Sequence, residues 1–211
     1  MAPANQSPDL MSVPEREESM PFPGGRLQRS AKSRSGAVLH FRQVLSRHLV
    51  TMSLVTVVMG LWVARVDDWK RLLSPLIAHP VHYLAMCVAI VAGIAIYQRV
   101  RGIPWSAAHV GWLGYLFLIS VVEEWVFRVF LPLYLINDLG ARASVLLSSV
   151  IFGALHYFTL RWRLTACLLT TLGGLGFSRM LDVSGDLALV ILVHWTVTFL
   201  NTPRPPVGES R

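Results

Sequence analysis

The sequence SVVEEWVFR, residues 120–128, places two adjacent glutamates and an arginine inside a stretch that is otherwise free of charge. Residues 102–122 contain no Asp, Glu, Lys or Arg, and the uncharged stretch resumes over residues 129–137. An ionised side chain is costly in hydrocarbon, so such groups normally face a bundle interior or a water-filled cavity. Glu123 and Glu124 are therefore the first candidates for chemistry.

The composition of the whole chain indicates a membrane protein. Of its 211 residues, 54% are hydrophobic and 15% are charged, and the mean hydropathy is +0.52. A soluble domain of this size would not stay dispersed with such a balance. The two cysteines, Cys87 and Cys167, both lie in apolar runs, so neither a disulfide framework nor a thiolate zinc site is expected.

Six apolar runs predict an all-α fold: a polytopic transmembrane helical bundle of about six transmembrane helices. The runs are 49–64, 81–97, 107–136, 143–158, 164–177 and 187–200. Residues 1–41, rich in Ser, Pro, Arg and Glu, are predicted to be a disordered cytoplasmic tail. Residues 42–201 would form the helical membrane domain, and residues 202–211 a short polar tail.

The positive charges predict the orientation of this bundle. The formal net charge is +7, and the arginines lie in the tail and in short loops instead of forming one basic face. This distribution indicates membrane topology and argues against nucleic-acid binding. It places the amino terminus and the carboxyl terminus in the cytoplasm. The excess of Arg over Lys suggests a GC-rich genome, so we expect a multi-pass protein of a bacterial inner membrane.

Polar residues on three separate predicted helices could form one site. These are Glu123 with Glu124, His156 and His194. Neighbouring residues on a helix point about 100° apart, so the two glutamates are expected not to share a partner. Glu124 and Arg128 lie one turn apart and are expected to form an ion pair. Glu123 would then be free to face a cavity.

The same residues predict hydrolysis by an activated water. A carboxylate in a low-dielectric pocket is a stronger base towards water, and an adjacent imidazole can share the proton and orient the attacking oxygen. Glu123 and His156 would supply that pair. Amide hydrolysis also needs a donor for the developing oxyanion, which His194 could provide with help from Thr198 or Asn201.

Other hydrolytic sites are disfavoured by the sequence. No His-Glu-x-x-His stretch occurs, and no two histidines share a helix face at metal spacing within the membrane. We therefore expect no metal and no cofactor. None of the serines lies in the Gly-x-Ser-x-Gly setting that exposes a nucleophile.

The order and spacing of these residues resemble a known family. Residues 123–128, EEWVFR, fit a Glu-Glu-x-x-x-Arg motif, and residues 152–156, FGALH, fit Phe-x-x-x-His. His194 lies in a third apolar helix, as a third motif would require. Over residues 107–201 the chain resembles the CAAX-protease and bacteriocin-processing family of intramembrane glutamic endopeptidases, which are related to the eukaryotic prenyl-protein endopeptidases.

The resemblance implies a metal-independent endopeptidase in which Glu123 and His156 activate a water and His194 helps to form the oxyanion hole. Glu124, Arg128 and Phe152 would support these three. The implied partners are the lipid bilayer and a membrane-associated peptide or protein, cleaved near its carboxyl terminus; a lipidated substrate or one with a sorting tail would fit. The family usually carries Asn or a similar polar residue one turn after the third histidine. This chain has Thr198 there and Asn201 farther on.

Two other functions stay open at this point. A non-catalytic membrane scaffold or bacteriocin-immunity protein could keep the fold without turnover, and Thr198 in place of Asn is the feature that favours it. A proton-coupled transporter could use the same acids. The lack of an internal sequence repeat makes the transporter the weakest of the three.

Overall fold

The computed structural model describes residues 41–63 and 66–205, with side chains for residues 42–62 and 70–205. The described elements are helices, which confirms the predicted all-α class. Residues 1–40 of the predicted tail (1–41) and residues 206–211 of the polar segment lie outside the described residues, while Phe41 begins the first helix. The helices are α1 (Phe41–Val44), α2 (Val50–Val63), α3 (Val66–Ala78), α4 (Pro80–Val100), α5 (Ala107–Glu124), α6 (Leu131–Thr159), α7 (Leu164–Ser184) and α8 (Leu187–Asn201).

Two π-helical segments interrupt this series. Leu45–Leu49 joins α1 to α2 without a break, so residues 41–63 form one continuous first helix. Trp125–Phe130 joins α5 to α6 in the same way. A π-helical turn carries an extra residue, and it rotates the helix face that follows it relative to the face that precedes it.

All six predicted apolar runs lie in helices over their described residues, which leave out residue 64, but the helix α3 was not predicted. Its sequence, VDDWKRLLSPLIA, contains four charged residues and one proline, so it has no uninterrupted apolar run. The element is amphipathic, and it packs against α4 and α8. Tertiary contact on one face therefore stabilises a helix that a search for apolar runs does not detect.

Three of the described helical stretches are long and apolar enough to cross a membrane. They are Arg42–Trp62, Pro80–Val100 and Leu164–Ser184, and α8 is a shorter apolar helix. The predicted count of six transmembrane helices stays a prediction.

The outer surface is more apolar than that of a soluble protein, and the interior contains ionisable groups. Large apolar residues are exposed along the outer helices, among them Leu61, Trp62, Val81, Leu84, Leu168, Leu169 and Leu172. The interior contains a cluster of buried acids, histidines and an arginine beside the apolar core. A bilayer solvates such an outer surface, while buried ionisable groups find partners only inside the bundle.

The chain reverses direction within α6, at Gly140. This glycine has φ 74° and ψ 164°, a conformation that favours a residue without Cβ. The two arms lie antiparallel, because the Ser148 hydroxyl donates to the Phe127 carbonyl over 2.6 Å and the rings of Phe127 and Phe152 are 5.0 Å apart. The predicted break between the third and fourth apolar runs is therefore present.

Helices α6 and α7 lie very close together at Gly153. A Cβ at this position would lie 2.1 Å from Thr171 Oγ1 and 2.7 Å from the Cys167 carbonyl oxygen. On α7, a Cβ at Gly174 would have neighbours at 3.2–3.4 Å, whereas one at Gly173 would meet open space. Gly176 faces open space as well. The close approach of the two helices thus depends on one glycine from each.

We expect Gly153→Ala to destabilise the fold, because the added methyl would overlap a backbone carbonyl that cannot rotate away. The cost should be about 1–3 kcal/mol, the usual range for overpacking a core. Thermal unfolding of the purified protein in detergent would measure it. Gly173→Ala is the matched control, and equal loss in both variants would contradict the packing described here.

Candidate active site

Glu123 and Glu124 are the last two residues of α5, where the backbone passes into the π-helical segment Trp125–Phe130. Their side chains are buried, with 3% and 0% of their surface exposed. Because almost none of their surface is exposed, the charge of the two carboxylates must be balanced by other groups of the protein. Irregular π-helical turns of this kind occur frequently at functional sites.

Three histidines from three different helices surround the Glu123 carboxylate. His156 on α6 places its Nε2 3.8 Å from Oε1, and His194 on α8 places its Nε2 3.7 Å from Oε2. His48, in the π-helical part of the first helix, is closer, with its Nε2 3.1 Å from Oε1. The three residues named from the sequence thus lie together, and their catalytic roles stay a prediction.

The His156 ring is held in one orientation. Its Nδ1–H donates to the Phe152 carbonyl over 2.8 Å, and the Trp162 ring lies 4.6 Å away between centroids. A neutral imidazole that donates from Nδ1 carries its lone pair on Nε2. His156 consequently presents an acceptor towards Glu123.

Glu124 has two ion-pair contacts. Its Oε2 lies 3.0 Å from Arg128 Nε, as predicted for residues one turn apart, and its Oε1 lies 2.7 Å from His194 Nδ1. The expectation that the two glutamates share no partner was wrong. The His194 ring reaches both, because its Nε2 faces Glu123 and its Nδ1 faces Glu124.

Aromatic rings enclose these charged groups. The Arg128 guanidinium lies over the Phe152 ring at 4.7 Å, a distance suited to cation–π attraction. Phe152 also meets the rings of His156 and His194 edge to face, with centroids 4.9 Å and 5.9 Å apart. Phe177 lies 4.9 Å from His194 on its other side. Phe152, named from the sequence as a supporting residue, therefore contacts the arginine and both histidines.

Thr198 and Asn201 follow His194 along α8. Thr198 is half-buried one turn later, and Asn201 is exposed at the last residue of the helix. With a rise of about 1.5 Å per residue, Thr198 lies about 6 Å along the axis and Asn201 about 10 Å. Thr198 is thus the nearer of the two candidates.

The side chains around Glu123 could also hold a metal ion. His48 Nε2, Glu123 Oε1 and His156 Nε2 all lie within 4.8 Å of one another. Two histidines and one carboxylate form the ligand set of several zinc hydrolases. No spacing in the sequence indicates this grouping, because its three members come from three helices and not from one helix face.

Two residues of this cluster were missed in the sequence. His48 Nδ1 lies 3.0 Å from the hydroxyl of Tyr115 on α5, and both side chains are buried. The only available signal for His48 was a histidine at the edge of the first apolar run. No local spacing links it to Glu123, so only the tertiary structure brings the two together.

Comparison with protein families identifies part of the chain. Residues 104–200 match the family described as type II CAAX prenyl endopeptidase Rce1-like. The chain contains a domain of this family. The match covers α5 to α8, with all of Glu123, His156 and His194, and it leaves out the first helix, α3 and α4. Membership of this family implies a CAAX-type protease, and hence a protein substrate.

No curated protein matches the chain significantly. No solved structure does so either.

We expect Arg128→Ala to destabilise the protein strongly, because it would leave Glu124 buried without its arginine. Removal of one partner of a buried ion pair costs about 3–5 kcal/mol. Thermal unfolding of the Arg128→Ala, Glu124→Gln and doubly substituted proteins would form a double-mutant cycle. Additive losses, with no coupling between the two positions, would contradict the ion pair.

Proposed function

We propose that this protein is an intramembrane endopeptidase in which Glu123 and His156 direct a water at a peptide bond. The observation that carries the proposal is the pair of gaps around the Glu123 carboxylate. Its oxygens face His156 Nε2 across 3.8 Å and His194 Nε2 across 3.7 Å. Both distances exceed the length of a direct hydrogen bond, and a water molecule can bridge polar groups at such separations.

The first chemical step is activation of that water. Glu123 Oε1 and His156 Nε2 are both acceptors, so one water can donate one O–H to each of them. Its lone pair is then directed at the substrate carbonyl. As the C–O bond forms, the carbonyl π electrons move to the oxygen and the water proton passes to Glu123. When the C–N bond breaks, that proton passes to the leaving amine.

His194 is suited to stabilise the oxyanion. Its Nδ1 lies 2.7 Å from Glu124 Oε1, which fixes the position of the ring, and its Nε2 faces the side of Glu123 on which the water would attack. A proton on Nε2 could be donated to the oxyanion. A donor fixed in a buried site is worth about 10²–10³ in rate in other acyl-transfer enzymes. Thr198 would add a hydroxyl donor on the same side.

The orientation that we propose places the amino terminus in the cytoplasm. Six helical segments would cross the membrane: the first helix, α4, the two arms of the α5–α6 hairpin, α7 and α8. Contacts at helix ends support this arrangement. The start of α5 meets the end of α8 through a hydrogen bond from Trp112 Nε1 to the Thr202 carbonyl. The start of α4 meets the start of α8 through Tyr83 and Asp186. Helix α3 would lie at the opposite face of the membrane.

The substrate class follows from the family and from this placement. We propose a membrane-associated peptide or protein, cleaved near its carboxyl terminus at the inner membrane of a bacterium. The sequence and the fold are compatible with a lipidated cysteine or with a sorting tail on that substrate. A non-catalytic scaffold or immunity protein is the second candidate, because Thr198 replaces the expected Asn.

We expect Glu123→Gln and His156→Ala to lower peptide cleavage by about 10²–10⁴-fold, the range that general acid–base groups contribute. The protein would be reconstituted in liposomes with a library of membrane-bound peptides, and new termini would be identified by mass spectrometry. Glu123→Ala and Glu124→Ala extend the test: the first should abolish cleavage in a folded protein, whereas loss with Glu124→Ala should accompany lower stability.

The same preparation separates the alternatives. Absence of cleavage by the folded wild-type protein over the whole library would favour the scaffold. Solute flux without hydrolysis would indicate a transporter.

Metal independence is part of the proposal. The 3.1 Å contact between His48 Nε2 and Glu123 Oε1 has the length of a hydrogen bond, so the proton of His48 can occupy the space between them. We expect cleavage to survive incubation with a strong chelator, and the purified protein to carry less than one metal ion per chain by elemental analysis. Loss of activity on chelation, with recovery on adding Zn²⁺, would instead assign a metal to His48, Glu123 and His156.

A further inference from the structure

The imidazole nearest to Glu123 comes from outside the family domain. His48 lies on the first helix, whereas the family match begins at residue 104. Its Nε2 is 3.1 Å from Glu123 Oε1, closer than the Nε2 of His156 or His194. Its surface is 2% exposed, so its polar atoms depend on protein partners.

The partner of His48 Nδ1 determines whether Nε2 carries a proton. Nδ1 lies 3.0 Å from the Tyr115 hydroxyl. If the tyrosine donates to Nδ1, the proton of the neutral ring is on Nε2 and points towards the carboxylate. In the opposite arrangement the lone pair of Nε2 would face a carboxylate oxygen, which is an acceptor as well. Donation from Tyr115 is therefore the arrangement that keeps two acceptors from facing each other.

Tyr115 is itself held in place by its neighbours. The Trp112 ring stacks on it with centroids 4.9 Å apart, and Trp112 Nε1 donates to the Thr202 carbonyl at the end of α8. A connected set of contacts thus runs from the end of α8 through Trp112, Tyr115 and His48 to Glu123.

We propose that His48 is a positioning residue. Its contact with Oε1 holds the Glu123 carboxylate in the orientation that activates the attacking water. This inference rests on the endopeptidase function proposed above. His48 Nε2 lies within hydrogen-bond distance of Oε1 but is not aligned for a hydrogen bond, and it has no hydrogen-bond partner within the described residues. Catalytic hydrogen bonds are often poorly aligned before substrate binds and tighten in the complex. The first helix, although outside the family domain, would then complete the active site.

The role differs from that of a general base. His48 contacts Glu123 and does not itself contact the proposed water. The groups placed to bind that water are the Glu123 carboxylate oxygens and the Nε2 atoms of His156 and His194. Loss of His48 should therefore affect the chemical step and not the binding of the peptide. A displacement of about 1 Å at a reacting group can cost about 10²-fold in rate.

The test compares His48→Leu, His48→Gln and Tyr115→Phe in the full-length protein reconstituted in liposomes, with His82→Leu as the control. His82 lies on α4 with an exposed side chain, away from this cluster. We expect His48→Leu to lower kcat by about 10–10²-fold with little change in KM. His48→Gln, whose amide can donate to Glu123 and accept from Tyr115, should recover most of that loss. Tyr115→Phe should have a smaller effect than His48→Leu.

Two results would overturn the inference. One is a His48→Leu variant as active as wild type when Glu123→Gln is inactive, which would leave the endopeptidase function standing without a role for His48. The other is loss of a stoichiometric metal ion from His48→Leu, which would make His48 a ligand.

An infrared measurement tests the role of His48 without relying on peptide cleavage. The carboxylate band of Glu123, identified by its loss in Glu123→Gln, should shift in His48→Leu and stay in place in His82→Leu. An unshifted band would overturn the inference even if the wild-type protein cleaves no peptide. If His48→Leu does not fold, the same comparison is made with Tyr115→Phe, which keeps the ring that stacks on Trp112.

Discussion

Two adjacent carboxylates inside a bundle with an apolar outer surface require partners, and the partners must come from other helices. Glu123 has histidines from the first helix, α6 and α8, while Glu124 has Arg128 and the second nitrogen of the α8 histidine. Uncompensated charge in such surroundings would cost several kcal/mol per ion. The arrangement of these four elements is therefore tied to the position of one pair of residues.

The same constraint explains why the polar groups are so closely packed with aromatic rings. Phe152 contacts Arg128, His156 and His194 at once, so it excludes solvent from between them and limits their rotation. Close approach of α6 and α7, at Gly153 and Gly174, allows this ring and the arginine to fit. A site of this kind is preorganised, which is the condition under which fixed charges and dipoles assist a reaction most.

The sequence allowed prediction of the features that depend on local spacing. The helical class, the break near Gly140, and the pairing of Glu124 with Arg128 follow from composition and from the helical repeat. Convergence of Glu123, His156 and His194 was expected because isolated polar groups in apolar runs must find one another. The family resemblance supported the same three residues.

What could not be predicted depends on contacts between distant parts of the chain. His48 has no spacing relation to Glu123, and α3 contains charges that hide its apolar face. The idea that adjacent glutamates share no partner assumed a partner with one polar atom, and it failed because the His194 ring has two. Likewise, no sequence pattern distinguishes Gly174, the one closely packed glycine of α7, from Gly173 and Gly176.

The π-helical segment that follows Glu124 has a consequence for how this chain can vary. Within this segment the Phe127 carbonyl accepts a hydrogen bond from the Ser148 hydroxyl, which connects the π-helical turn to the opposite arm of the hairpin. Deleting one residue between 125 and 130 would restore ordinary α-helical winding and turn everything before it by about 100°. The glutamates would then leave their histidines although no side chain near them had changed. Chain length over this segment is therefore constrained as tightly as the identity of any residue within it.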